Sequence, residues 1–189
     1  MPLGRWPCGI GLGVLIPSIV SVHPNKAFNR RMRNNRSMTI KVLAVGKKHE
    51  SWVDEGISRY EKRLKKPFNL TWQLLNHSSR ENDAARTEES ARILAKIDDR
   101  DFVVLLDERG KNVNSPALAN TLRSPIDSSR NVVIIIGGAY GVDPTVHARA
   151  DFTWSLSKLV FPHQLVRLIL TEQLYRAQDI LAGGKYHHV

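Results

Sequence analysis

Hydrophobic positions along this chain fall into short apolar runs separated by amphipathic stretches, and the alternation begins at Met38. TIKVLAV (39–45) is a β-branched apolar run closed by Gly46, the pattern of a buried strand. Residues 51–65 then place Val53, Ile57, Tyr60 and Leu64 on one helical face. NLTWQLL (69–75) predicts a second strand after Pro67. The polar stretch HSSRENDAARTEES leads into Ile93, Leu94 and Ile97, which predicts a helix over 81–98 with an exposed, charged outer face. FVVLLD (102–107) is a continuous apolar run of the kind buried on both faces of a parallel sheet. Ser115-Pro116 reads as a cap followed by a first-turn proline, opening a helix to about Arg123. NVVIIIGG (131–138) is the most hydrophobic strand, and Asp143-Pro144 opens a short helix to Arg149. FTWSLS (152–157) is a fifth strand. Pro162 then opens a long helix, with Leu165, Leu168, Ile169, Glu172, Tyr175 and Arg176 at helical spacing, ending before Gly183-Gly184.

Strands alternating with helices predict an α/β fold with a mostly parallel sheet flanked by helices. In such folds ligands bind beyond the carboxyl ends of the strands. Three of those ends stand out: LLDERGK (105–111), IIIGGAYG (134–141) and SLSKLVFPH (155–163).

The chain has 189 residues, 42 % of them hydrophobic and 24 % charged, which suits one globular domain and excludes global disorder. The single cysteine, Cys8, excludes an intramolecular disulfide and a cysteine-based zinc site. No run approaches the ~18 apolar residues of a membrane span. The net charge of +10 favours a polyanionic partner but is unevenly spread. Residues 1–37 hold Arg5, Lys26, Arg30, Arg31, Arg33 and Arg36 and no acidic residue; 38–189 carries 22 basic and 18 acidic residues, a net of +4. The segment therefore divides from the body, giving an N-terminal extension at 1–37 and a domain at 38–189. Its apolar stretch GIGLGVLIPSIVSV follows Arg5, as in a signal peptide, but Pro17 interrupts it and the cleavage site is poor. Arg-rich, acid-poor composition also suits an organellar transit peptide. A disordered arm, upstream sequence ahead of a start at Met38, and an RNA-binding arm complete the readings. A chain beginning at Met38 is expected to be soluble, dimeric and active.

The familiar chemical fingerprints are missing. The glycines of IIIGGAYG match neither G-x-G-x-x-G nor G-x-x-x-x-G-K-[ST], and read first as a tight strand-to-helix turn and second as a ligand approach. Asp107-Glu108-Arg109-Gly110-Lys111 reads as a solvated turn or as site residues at a strand end. His163, in a helix's first turn, reads first as a capping or packing residue. There is no H-x-x-x-H pair and no G-x-S-x-G elbow, so neither a zincin nor a serine hydrolase is anchored. Tyr186-His187-His188 is unusual at a chain end, where stacking on bases or proton handling is one use for it.

Taken together, LDERGK (106–111), IIIGGAYGVD (134–143), SLSKLVFPHQLVRLILTEQLYRA (155–177) and YHH (186–188), with the opening MTIKVLAVGKK, closely resemble the ribosomal RNA large subunit methyltransferase H family, minimal members of the SPOUT methyltransferases. The resemblance covers residues 38–189 and rests on the linked series of motifs. It implies a SPOUT fold with a C-terminal trefoil knot, a homodimer, and S-adenosylmethionine bound in the knot by Leu106, Gly137 and the segment Leu156, Ser157, Lys158, Leu159, Val160 and Phe161. It implies methylation of N3 of a pseudouridine in helix 69 of large-subunit rRNA on the assembled ribosome, without metal or membrane, in the cytoplasm (or in an organelle if 1–37 is a transit peptide). Because a neutral imide N–H is a poor nucleophile, its proton needs an acceptor. The candidates for that role are His163, Tyr186 and His187, with Arg167 or Arg176 steadying negative charge; Tyr186 and His187 are expected to face the substrate and His163 is read first as structural. Val160 stands where a threonine is common, and His188 where some members carry arginine. An inactive ribosome-associated RNA-binding protein and a SPOUT tRNA methyltransferase are the alternatives.

Overall fold

The computed structural model describes residues 38–187; the expectations for the N-terminal extension and for His188 fall outside the described residues. Five strands and five helices alternate along the chain: β1 Ile40–Val45, α1 Ser51–Glu61, β2 Leu70–Leu75, α2 Asn82–Leu94, β3 Phe102–Asn112, α3 Ser115–Asp127, β4 Val132–Ile136, α4 Pro144–Arg149, β5 Phe152–Ser155 and α5 His163–Ala182. The strands form one sheet in the order β2-β1-β4-β3-β5. Every pairing is parallel, with Ile40 opposite both Leu70 and Val132, and Val132 opposite Phe102. The carboxyl ends therefore share one edge.

Alternation along the central strands sends side chains to opposite faces. Ile40, Val42, Ala44, Val104, Val132, Ile134 and Ile136 join a core with Leu118 and Leu122 of α3 and Leu170 and Leu174 of α5. Leu43, Val45, Val103, Leu105, Val133 and Ile135 join a second core with Ile93 of α2 and Val146 of α4. Both faces are covered, as the unbroken apolar runs require.

Several boundaries differ from the sequence expectation for identifiable reasons. The cap of α3 is Asn114, whose side chain accepts from the Ala117 N–H at 2.9 Å; Ser115 is already helical and its hydroxyl donates to Gln173 instead. That helix runs on to Asp127 through Pro125, and the hydroxyl of Ser128 donates back to the Ser124 carbonyl at 2.6 Å. Asp143 caps α4 as the sequence suggests, accepting from the N–H groups of Thr145 and Val146. α5 stops at Gly183, which takes the left-handed conformation (φ 70°) that favours glycine.

The largest difference lies in β3. The Asp107-Glu108-Arg109-Gly110 segment neither ends the strand nor forms a simple turn. Leu106 and Lys111 both align with Trp154 of β5, and Asn112 aligns with Ser155, so four residues bulge outward before pairing resumes. Gly110 is where the chain returns: a Cβ there would lie 2.7 Å from the Thr153 carbonyl carbon and oxygen. Backbone cannot yield as a flexible side chain can. Gly110→Ala is expected to destabilise the protein by about 1–3 kcal/mol, the usual range for overpacking, measured by urea unfolding.

Candidate active site

A cavity of about 520 Å³ opens at the carboxyl edge, between the ends of β3, β4 and β5 and the start of α5. The three strand ends singled out in the sequence converge on it. Of the expected cofactor residues, Leu106, Gly137, Leu156, Ser157, Leu159, Val160 and Phe161 line it; Lys158 is exposed and off its wall.

Each wall has a local cause. On the β4 side, the chain turns at 138–141, where the Gly141 N–H donates to the Gly138 carbonyl at 2.9 Å and Gly141 has φ +73°. Gly138 is a glycine for a different reason: a Cβ would lie 2.1 Å from Oε2 of Glu89 in α2. On the β5 side, the Ser155 hydroxyl donates to the Ser157 carbonyl at 2.8 Å, and the Ser157 hydroxyl accepts from the Leu159 N–H at 3.0 Å. These bonds fix the loop that carries Leu159 and Val160, which stand 70 % and 78 % exposed at the mouth beside the half-exposed Tyr140.

The β3 bulge brings a charged group into the mouth. Asp107 accepts from Arg109 Nε at 2.9 Å and from Nη2 at 2.8 Å, and the same Nη2 lies 3.1 Å from Nε2 of His147 on α4. The Arg109 hydrogen bonds hold the Asp107 carboxyl below the usual aspartate range.

The expected catalytic residues divide into two groups, and none of the three lines the cavity. Arg167 is buried, with Nη1 donating to the Lys47 carbonyl at 2.9 Å. Tyr186 and His187 belong to a cluster further along α5. The Tyr186 hydroxyl donates to Glu172 at 3.2 Å, its N–H donates to Asp179 at 2.8 Å, and its ring packs edge-on against Tyr175 at 4.8 Å between centroids. Arg176 lies 4.7 Å over the Tyr186 ring, donates from Nε to Glu172 at 3.1 Å, and reaches Nδ1 of His187 at 3.4 Å. Burial, with hydrogen bonds to Tyr60 and Glu172, pushes the Tyr186 phenol up to about 12, so at neutral pH it is a donor and not a base. Glu172 lies nine residues beyond the start of α5, about 14 Å along the axis at the rise of an α-helix.

Sequence reasoning missed His147 and Glu89; His163, weighed as a proton acceptor but read first as structural, lines the cavity. Burial, then the Arg167 charge, hold its imidazole below the ordinary histidine range. Arg109 and His147 meet only because β3 bulges. Glu89 left one trace: it shares the inward face of α2 with Ala85 and Ile93, four residues to either side.

A family model described as "Predicted SPOUT methyltransferase" matches residues 38–187. The chain belongs to this family. It is 42 % identical over 154 residues to "Ribosomal RNA large subunit methyltransferase H" of Dichelobacter nodosus, covering 79 % of this chain and 99 % of the relative. It is 41 % identical to the protein of that name from Geobacter metallireducens (80 % and 99 % covered) and 43 % identical to the one from Synechococcus (78 % and 93 %). The SPOUT fold and a methyltransferase activity follow for this chain.

The cavity residues fit a sulfonium cofactor. The volume is ordinary for a small-ligand site. Leu106, Ile136, Leu156 and Val166 supply apolar walls, and Asp107 supplies a carboxylate at the mouth of a site for a cation. Among the described residues no cluster of histidine, cysteine or acidic side chains is suited to hold a metal, and no helix is long and apolar enough to cross a membrane.

The depressed Asp107 carboxyl sets the sign of an acid effect. A group whose pKa is lower folded than unfolded stabilises above its unfolded value, near 3.9, and loses that contribution as pH falls through the folded value. Arg109 is largely exposed, so the ion pair is discounted for solvent screening. Asp107→Asn is expected to cost about 1 kcal/mol at pH 7 and almost nothing near pH 2, by urea unfolding at the two pH values.

Proposed function

We propose that this methyltransferase uses S-adenosylmethionine to methylate N3 of a pseudouridine in helix 69 of large-subunit rRNA on the assembled ribosome. The observation that carries the reading is the convergence on one cavity of Leu106, Gly137 and the 156–161 loop, the residues that the family resemblance ties to the cofactor. The names of the relatives supply the substrate class. The C-terminal trefoil knot belongs to the same reading.

The bound cofactor supplies an electrophilic methyl group. The protein's task is to seat it against the apolar walls, hold the nucleotide in line, and take the N3 proton. A body charge of only +4 suits an enzyme that reads a preformed ribosomal surface through shape and phosphate contacts.

The protein acts as a homodimer in this reading, for two reasons. Leu159, Val160 and Tyr140 form an exposed apolar lip at the cavity mouth that a second copy would cover. The Tyr186–His187 cluster, with Arg176 and Glu172, lies too far along α5 to serve its own chain's cavity. One chain's tail therefore faces the other chain's cofactor, with Tyr186 and His187 toward the nucleotide and Arg176 stabilising negative charge. Arg167 acts from behind the wall, near His163.

The deciding assay incubates the protein and labelled cofactor with assembled ribosomes, separated large subunits and bulk tRNA, the ribosomes coming from a strain without its own helix 69 methyltransferase. Mass spectrometry is expected to find N3-methylpseudouridine from assembled ribosomes alone. Label on tRNA, or cofactor binding without any label, would contradict the assignment. Leu156→Arg puts a cation against a cationic cofactor and is expected to weaken its binding at least tenfold by calorimetry, about 1.4 kcal/mol, without changing urea unfolding. A chain starting at Met38 is expected to retain full activity; its loss would assign a role to residues 1–37.

A further inference from the structure

A buried polar cluster behind the cavity wall has no part in the chemistry described so far. It lies at the carboxyl ends of β1 and β4, between α2 and α5. Glu89 enters it from the inward face of α2 and is 4 % exposed. Its Oε1 accepts from the Ser78 N–H at 2.9 Å and lies 3.8 Å from Nδ1 of His77. Its Oε2 is buried, has no hydrogen-bond partner among the described residues, and fills the space that a Cβ on Gly138 would take. Across the cluster, Nη2 of Arg167 and Nε2 of His77 flank Gly46, at 3.0 and 3.5 Å from the position of an absent Cβ. Arg167 Nε is likewise buried without a partner. His163, one turn ahead of Arg167 on α5, lines the cavity, as does Gly138, against which Glu89 packs.

A buried carboxylate oxygen with no hydrogen bond costs a protein several-fold more than a satisfied one. An alanine or leucine at position 89 would continue the apolar face of α2. What Glu89 offers is negative charge close to an imidazole that faces the cavity. The charged groups around His163 are Arg167 on its own helix, His77 after β2 and Glu89 on α2. Arg167 and His77 disfavour the imidazolium and Glu89 favours it. Burial above all holds the imidazole below its ordinary pKa, so it is neutral at neutral pH, and Glu89 acts in the opposite direction. Tyr186, whose phenol is pushed up to about 12, is a hydrogen-bond donor at neutral pH.

We propose that His163 accepts the proton lost by the target imide and that Glu89 is the positioning residue that makes it able to do so, an inference that rests on the methyl-transfer reading above. The N3–H bond breaks and its proton bonds to the neutral imidazole. The electron pair stays on N3 and forms the new bond to the methyl carbon as the carbon–sulfur bond of the sulfonium breaks, its electron pair going to sulfur, which leaves as a neutral thioether. The imidazolium, stabilised by Glu89, then releases the proton to solvent.

The test begins on the protein alone. The imidazole C–H resonances of His163 are followed by NMR across pH in the full chain. Glu89→Gln removes a negative neighbour and is expected to move the His163 midpoint to lower pH. His77→Gln removes a neighbouring imidazole that disfavours the His163 imidazolium and is expected to move the midpoint to higher pH. Single-turnover methylation of ribosomes should then show an acid limb that tracks this midpoint in all three proteins. His163→Gln is expected to lower the single-turnover rate about 100-fold at pH 7, with cofactor affinity by calorimetry within about threefold of the parent. Full rate in His163→Gln, or an acid limb that ignores the midpoint, overturns the role of His163. Midpoints that do not move in opposite directions overturn the role of Glu89. If Glu89→Gln does not fold, the sign of the His77→Gln shift still decides whether this cluster governs His163. A parent protein that binds cofactor yet methylates no ribosome contradicts the reaction reading instead, since the NMR titrations need no substrate.

Discussion

Burial of both faces of an all-parallel sheet is the constraint on which the rest of this structure depends. The central strands β1, β3 and β4 carry apolar side chains up and down, and nearly all are inaccessible to water. Polar chemistry has no room on either face. Because every strand runs the same way, all carboxyl ends share one edge, and polar and glycine-rich segments gather there. The cavity, the Asp107–Arg109–His147 group and the Glu89 cluster all lie along that edge.

Along the edge, shape is set by close backbone approach and charge by a few buried groups. Gly110 lets the β3 bulge return against β5, and Gly138 makes room for Glu89. Gly138 also lines the cavity beside Gly137, so the turn after β4 forms one of its walls. The other walls come from the bulge and from the loop after β5, held by the paired hydroxyls of Ser155 and Ser157.

Most of the fold was legible because long apolar runs and cap-plus-proline pairs are local signals. The five strands, the five helices and the three converging strand ends all follow from such patterns. The β3 bulge was not legible, because its cause is a tertiary pairing: Lys111 returns to the partner that Leu106 already has. The roles of Asn114 and Ser115 were exchanged for a similar reason, since Gln173 on a distant helix takes the Ser115 hydroxyl. At the site, the three strand ends that line the cavity were legible as polar and glycine-rich segments after apolar runs. Glu89 was not, because a glutamate in a charged helix looks ordinary until the fold buries it, and His163 stood only as a candidate because a lone histidine in a first turn usually caps or packs. The tail stood out as unusual, but sequence alone does not say that it packs on Glu172 and Arg176, away from its own cavity.

On the proposed reading, that separation leaves a single chain with two half-sites: the cavity at the start of α5, and a Tyr186–His187–Arg176 cluster further along it. The account's central claim is that the halves are completed between two chains. Mixed dimers test this most directly. A cavity variant, Leu156→Arg, assayed at cofactor well below its Kd, and a tail variant lacking residues 186–189 are each expected to methylate far more slowly than the parent. Unfolded and refolded together, they are expected to recover methylation, because a mixed dimer pairs one intact cavity with one intact tail. Dimers that form but methylate no more than the two variants assayed separately would contradict it.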